Sequence, residues 1–335
     1  MRALVLDQAG ALTAADVDRP EPRADEVLVR VTHTGICGTD LKIFTGAMPA
    51  ARPIIMGHEI AGEVAGGGHG LPDAARVLVD PVLSCGRCAP CAAGRTNLCP
   101  HGGVIGREVN GGFAEYVAAP RSHVYPLPAA INSREAPLIQ VLTTCLHAQK
   151  RACVGAGQSV AVLGLGVSGQ LHVQLAKARG AGRVIGVTRS AWKRALAGAL
   201  GADVTAASGD EARRVVGEAT GGQGVDVVIE CTGHLASLAD ALAMLAPGGT
   251  IALFGIFTER AGALPFYELY YKEPTIVSAR AATGADFPES IALVAAGEVR
   301  LAPLVTQVLP LARLREALAM LEHDVDGRMK IILEH

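Results

Sequence analysis

The chain has 335 residues, a net charge of −2, 50% hydrophobic residues and only 4% aromatic ones. Near-neutral charge with no basic run gives nucleic acid and anionic membrane surfaces nothing to attract, and no apolar stretch is long enough to span a bilayer. The length suggests two domains, with cores built mainly from Ala, Val, Leu and Ile.

Up to about Pro128 the sequence reads as short strands and turns. Residues 27–37, 60–66, 76–83 and 111–119 are β-branched or alternating runs ended by Gly or Pro, the texture of an irregular all-β domain. From residue 133 the texture changes. Residues 133–152 carry apolar side chains at helical spacing, and the apolar runs 159–166, 183–187, 225–233 and 250–257 alternate with Ala/Leu-rich helical stretches. Strand and helix in alternation predict a parallel sheet with crossover helices. Near Arg280 the pattern changes again and the tail, from Leu301 to Pro310, reads as a strand. The expected organisation is a first domain over 1–148, interrupted by a second over 149–280 and completed by 281–335.

Cys85, Cys88, Cys91 and Cys99 read Cys-x2-Cys-x2-Cys-x7-Cys, with Gly86, Pro90, Gly94, Asn97 and Pro100 as turn formers among and beside them. Four thiolates at this spacing can close a tetrahedron around zinc. Disulfides are disfavoured, because Met1 leads into a short apolar run broken by Asp7 and not into a secretory leader; a cytoplasmic chain is expected. A closed four-thiolate site leaves no position for a substrate, so this zinc should be structural.

Gly164, Gly166 and Gly169 form Gly-x-Gly-x-x-Gly between an apolar strand and a helix-forming run. In that setting the glycines allow a tight turn, the approach of a pyrophosphate and the packing of helix on strand. Val167 opens the helix, whose N-terminus faces the phosphates. A site for NAD usually has an acidic residue at the end of the next strand. Here stand Thr188, Arg189 and Ser190, with Lys193 one turn later. This set suits a 2′-phosphate and predicts preference for NADP(H) over NAD(H).

Cys37 and the pair His58-Glu59 each sit at a strand-to-turn junction beside glycine. One thiolate, one imidazole and one carboxylate suit a zinc ion with an open position. Such an ion is a Lewis acid towards an alcohol oxygen. Thr39 is placed to take the alcohol proton, or else stabilises its turn.

These residues resemble the zinc-dependent medium-chain alcohol and polyol dehydrogenases, in their sorbitol and threonine dehydrogenase-like branch. The resemblance runs from Cys37-Gly-Thr-Asp40 through Gly57-His-Glu59, the four-cysteine loop, residues 111–117 and the Gly-x-Gly-x-x-Gly strand to residues 303–310. It implies an α/β fold in which a Rossmann dinucleotide-binding domain is inserted in a chaperonin-10-like (GroES-like) irregular β-barrel catalytic domain. It further implies that Cys37 and His58 bind catalytic zinc, with Glu59 as an adjacent or exchanging ligand, that Thr39 starts a proton relay, and that Asp40 orients the ligands. Lys330 would reach the cofactor pyrophosphate, and the chain would form a homodimer or homotetramer.

Two positions depart from the family pattern. Where relatives carry a further zinc ligand, usually Glu, Asp or Cys, this chain has Gln140, a weaker ligand; Cys145 is a weak alternative. Where many relatives carry a His that passes the proton outward, this chain has Lys42, and a lysine amine is ordinarily a poor proton shuttle at neutral pH. The expected activity is hydride transfer between NADP(H) and a secondary alcohol, polyol or sugar hydroxyl or its ketone. A zinc-independent enone reductase on the same fold and a non-catalytic zinc- and nucleotide-binding redox sensor are the competing readings.

Overall fold

The computed structural model describes residues 1–257, 259, 261–322 and 327–335. The chain forms two compact units, one of Met1–Val141, Thr283–Ala296 and Leu301–His335, the other of Leu142–Ala282 and Gly297–Arg300. The first boundary falls within the Leu138–Arg151 helix, ahead of residue 148. Residues 297–300, expected with the tail, cluster with the second unit. Arg300 N–H donates to Gln174 Oε1 (2.8 Å), and the Gln174 amide donates back to Arg300 O (3.1 Å).

The first unit is built on the Glu26–Gly35 strand. One of its edges pairs along the antiparallel Glu59–Gly66 strand. The other edge is shared: residues 26–30 pair with Tyr116–Pro120, and residues 33–35 with the tail strand Lys330–Glu334. Register shifts against Glu59–Gly66 at Leu28/Val29 and Val31/His33 mark the irregularity that bends such a sheet. Val27, Val29 and Val31 alternate inward against Val64, Val77, Val79 and Val117, as a period of two requires. The run 111–119 is a strand only from Tyr116. Before it, Gly111, Gly112 and Phe113 donate backbone bonds to Ile55, Gly57 and Met56, which pulls them out of the ladder. The tail run begins as a 3-10 turn at Ala302–Leu304 and becomes a strand at Val305–Pro310.

The second unit is a six-stranded, all-parallel sheet. In spatial order its strands are Val204–Ala206, Arg183–Val187, Ser159–Leu163, Val225–Glu230, Leu245–Leu253 and Thr275–Ser278. The order reverses between Ser159–Leu163 and Val225–Glu230, the switch point of a doubly wound fold, where ligands bind beyond the carboxyl ends of the strands. Both faces are covered. Ala161, Leu163, Ile185 and Val187 enter one apolar cluster, and Val160, Val162 and Val184 the other. This explains why these strands read as continuous apolar runs. No helix among the described residues is long and apolar enough to cross a membrane.

Candidate active site

Strand pairing brings Cys37, His58 and Glu59 together. Gly35 lies opposite Glu59 in the antiparallel ladder, so the residues just beyond one strand meet the start of the other. Cys37 is the N-cap of the Gly38–Thr45 helix. Ligand atoms of Cys37, His58 and Glu59 all lie within 4.8 Å of one another.

Asp40, in the first turn of that helix and fully buried, ties the cluster together. Its Oδ2 accepts from the Cys37 N–H at 2.8 Å, and its Oδ1 lies 3.3 Å from His58 Nδ1. With Nδ1 turned to Asp40, Nε2 is the ring nitrogen that could face a metal ion. Burial pulls the His58 pKa down, but the Asp40 carboxylate outweighs it and holds the imidazole well above its ordinary value. For Cys37, burial pushes the thiol up, and the hydrogen bond and charge of His58 bring it below its ordinary value.

Glu59 is 0% exposed and Lys330 3% exposed. Lys330 Nζ lies against the Glu59 carboxylate and donates to Ile36 O at 2.9 Å. Apart from this ion pair, neither Glu59 oxygen has a hydrogen-bond partner among the described residues. Residue 35 must be glycine: a Cβ there would collide with Glu59 Oε2 and sit 2.9 Å from Lys330 Cε. Lys330 thus pairs with Glu59 here, because the tail strand pairs beside Gly35 and turns the amine into the Cys37–His58 cluster.

Thr39 and Lys42 lie on the Gly38–Thr45 helix, both partly exposed. Gln140 is 7% exposed in the first turn of the Leu138–Arg151 helix. Cys145, further along that helix, directs its sulfur to Ser168 O at 3.7 Å.

Cys85, Cys88, Cys91 and Cys99 form the second cluster, again with all ligand atoms within 4.8 Å. Cys88 Sγ lies 3.4 Å from Cys91 Sγ and 3.7 Å from Cys99 Sγ, and all eight cysteines are free thiols. Four sulfurs about 2.3 Å from a zinc ion stand roughly 3.8 Å apart, so the spacing fits a metal and not disulfides. Backbone N–H groups of Arg87 and Cys88 pull the Cys85 thiol down to about 6, while Cys88, against the Cys91 N–H, is pushed up to about 12 by desolvation and by its neighbouring sulfurs.

In the second unit, Gly164, at φ +89°, turns the chain, and Gly166 caps the Val167–Ala178 helix with open space where a side chain would be. A Cβ on Gly169 would collide with Gly164 O, so only glycine lets this helix close on its turn. Thr188, Arg189 and Ser190 follow the Arg183–Val187 strand. Ser190 Oγ is buried without a hydrogen-bond partner among the described residues, a polar group suited to a ligand. Lys193 Nζ stands 5.6 Å from the centre of the Trp192 ring. Arg194, absent from the sequence reading, donates to Thr188 O (2.7 Å) and Arg189 O (2.8 Å), fixing this loop. Its only sequence signal was an arginine one turn after the N-cap Ser190.

Residues 23–129 match the alcohol dehydrogenase GroES-like domain, and residues 168–296 the zinc-binding dehydrogenase family. The chain is 32% identical over 314 residues to a sorbitol dehydrogenase from Halalkalibacterium halodurans, covering 91% of this chain and 92% of that one. The chain belongs to the zinc-dependent medium-chain alcohol and polyol dehydrogenases. Among solved structures, a zinc-binding dehydrogenase from Sinorhizobium meliloti 1021 bound to NADP is 33% identical, with TM-score 0.91, over 100% of this chain and 99% of that one. An alcohol dehydrogenase from Escherichia coli CFT073 complexed with NADH is 28% identical, with TM-score 0.93, over 100% and 99%. The chain is thus an NAD(P)-dependent oxidoreductase acting on CH–OH groups, with the GroES-like and Rossmann architecture of its family.

Proposed function

We propose that this dehydrogenase interconverts a secondary alcohol, polyol or sugar hydroxyl with its ketone, prefers NADP(H), and works with one catalytic and one structural zinc per chain. The observation that carries the reading is the incomplete cluster of Cys37, His58 and Glu59 beside the complete set of Cys85, Cys88, Cys91 and Cys99. Four thiolates saturate an ion, whereas the smaller set leaves a position for substrate. Glu59 Oε1, which has no hydrogen-bond partner among the described residues, and the His58 Nδ1 turned to Asp40 support a cation there.

Cys37, His58 and Glu59 would hold the catalytic ion, with Gln140 as a further neutral ligand. When bound, zinc supplies Lewis acidity towards the alcohol oxygen, and the nicotinamide accepts the hydride. The chain's own residues do the rest. Asp40 holds the Cys37 backbone and the His58 ring in register. Lys330 offsets the charge of Glu59, which favours an exchanging role over permanent ligation. The Thr39 hydroxyl takes the alcohol proton, and Lys42, one helical turn on, stands at the exit of the relay without being a strong shuttle. Gly164, Gly166, Val167 and Gly169 would receive the pyrophosphate. Thr188, Arg189, Ser190 and Lys193 would receive the 2′-phosphate; the buried Ser190 hydroxyl and the absence of an acid at 188–190 support this.

A homo-oligomer is part of the proposal. Phe266, Tyr267, Tyr270 and Tyr271 on the Phe266–Lys272 helix are 67–79% exposed, next to the edge strand Thr275–Ser278 that carries exposed Ile276. Apolar surface of this kind on an open sheet edge favours association. Sedimentation velocity should find a dimer or tetramer.

The test of the activity is a panel of secondary alcohols, polyols and sugars with NADP+ and NAD+. Oxidation of polyols with a higher kcat/KM for NADP+ is expected. A clear preference for NAD+ would sink the cofactor reading, and inactivity with every CH–OH substrate would sink the substrate reading.

A further inference from the structure

Glu230 ends the Val225–Glu230 strand at the switch point, with a side chain that is 0% exposed. A carboxylate buried there requires donors, and the chain supplies them locally. Its Oε1 accepts from Thr232 N–H at 2.7 Å and from the Thr232 hydroxyl, and its Oε2 from Gly233 N–H at 3.0 Å. The Glu230 backbone carbonyl accepts from Phe254 N–H (2.9 Å) and Gly255 N–H (2.8 Å) in the loop after the next strand. One residue therefore holds two of the loops that follow the sheet's strands.

The loops are pressed onto it. A Cβ on Gly255 would collide with Gly233 N and lie 2.7 Å from Glu230 Oε2. A Cβ on Gly164, in the dinucleotide turn, would lie 2.8 Å from Thr232 Cγ2. Glu230, loop 231–233, loop 254–256 and the glycine turn form one packed block along the crevice where a doubly wound sheet binds its ligand.

We propose that Glu230 is a positioning residue for the nicotinamide cofactor: by fixing the loops at Thr232–Gly233 and Phe254–Gly255 against the Gly164 turn, it shapes the part of the crevice common to NADP(H) and NAD(H). This rests on the cofactor reading above, and it makes a separate demand. Arg189 and its neighbours distinguish the two nucleotides; Glu230 does not.

The test is the dissociation constant of NADPH and of NADH, read by nicotinamide fluorescence, for wild type, Glu230→Gln and Gly255→Ala. In Glu230→Gln the side chain keeps its size, but an NH2 replaces an acceptor facing Gly233 N–H and the charge is lost. Hydrogen bonds to charged groups are strong enough that both constants should rise by about tenfold or more, by the same factor, with the zinc content unchanged. Gly255→Ala wedges the two loops apart and presses on the carboxylate while keeping its charge, and should give the same equal rise; it carries the test if Glu230→Gln folds poorly. A purely structural role would lower the melting temperature and leave both constants alone, which would overturn the proposal. Weakening confined to NADPH would also overturn it, because that places the effect at the 2′-phosphate. Wild-type protein that binds neither nucleotide would overturn the cofactor reading itself, a result distinct from unchanged binding in the variants.

Discussion

Lys330 Nζ sits on the Glu59 carboxylate in the interior of the first unit, where neither side chain is more than 4% exposed. A glutamate beside a thiolate and an imidazole would otherwise bring another negative charge to the same point. The lysine, delivered by the last strand, offsets that charge and holds the carboxylate.

Replacing Lys330 with Met should free Glu59 towards the Cys37–His58 cluster. Losing one partner of a buried pair costs about 3–5 kcal/mol in the metal-free protein. Bound metal should recover part of this, because a nearby positive charge is gone. Chelator competition should therefore show slower zinc loss in Lys330→Met, together with a lower kcat. Faster zinc loss would show that Lys330 does not restrain Glu59.

Asp40→Asn tests the second link. Asparagine can still accept from Cys37 N–H, but it lacks the charge that holds His58 Nδ1. Partners of this kind are worth about 10–100-fold in metal affinity. Zinc affinity of the Cys37 site should fall by that order, while the four-cysteine site keeps its ion.

Arg189→Ala should lower kcat/KM for NADP+ by about 10–100-fold, as expected for loss of a charge-assisted phosphate contact, and leave NAD+ almost unaffected. Equal losses with both nucleotides would remove Arg189 from the 2′-phosphate site.

Asp80 makes a pH prediction that involves no metal. Burial pushes its carboxyl up to about 7, and the nearby Asp286 charge adds to this against the Val82 N–H bond. Between the unfolded value of 3.8 and the folded value of about 7, the folded chain holds a proton that the unfolded chain releases. Stability from this group is full below pH ~4 and falls as the pH rises to ~7, by at most about 4 kcal/mol. Asp80→Asn should gain stability over wild type between pH 5 and pH 8 in urea denaturation. A wild-type-minus-variant difference that is flat with pH would contradict this.

Much of the architecture was legible because it rests on periodicity and on glycine. The parallel strands are continuous apolar runs, and the glycine turn sits between one of them and a helix. The four cysteines are close in sequence and remain close in space. The Cys37 cluster was legible as a set of residue types, because each ligand stands at a strand end. Long-range pairing was harder to read. Lys330 lies far from Glu59 in sequence, and only the antiparallel pairing of the tail strand with Glu26–Gly35 brings them together. Gly35 was the available clue, a glycine in an otherwise β-branched strand that marks a close approach. Glu230 and Arg194 were silent for a similar reason: both act on backbone groups of neighbouring loops, and no local pattern records that.

In the proposed mechanism, chemistry depends on the ion at Cys37 and His58 and not on the four-cysteine ion. The most direct measurement is NADP+ reduction by a polyol substrate, followed against zinc per chain as a chelator removes metal. Activity should vanish as the content falls from two ions to one, with secondary structure retained, since the site with an open position releases its ion first. Full activity with one zinc per chain, or none with two, would contradict the account.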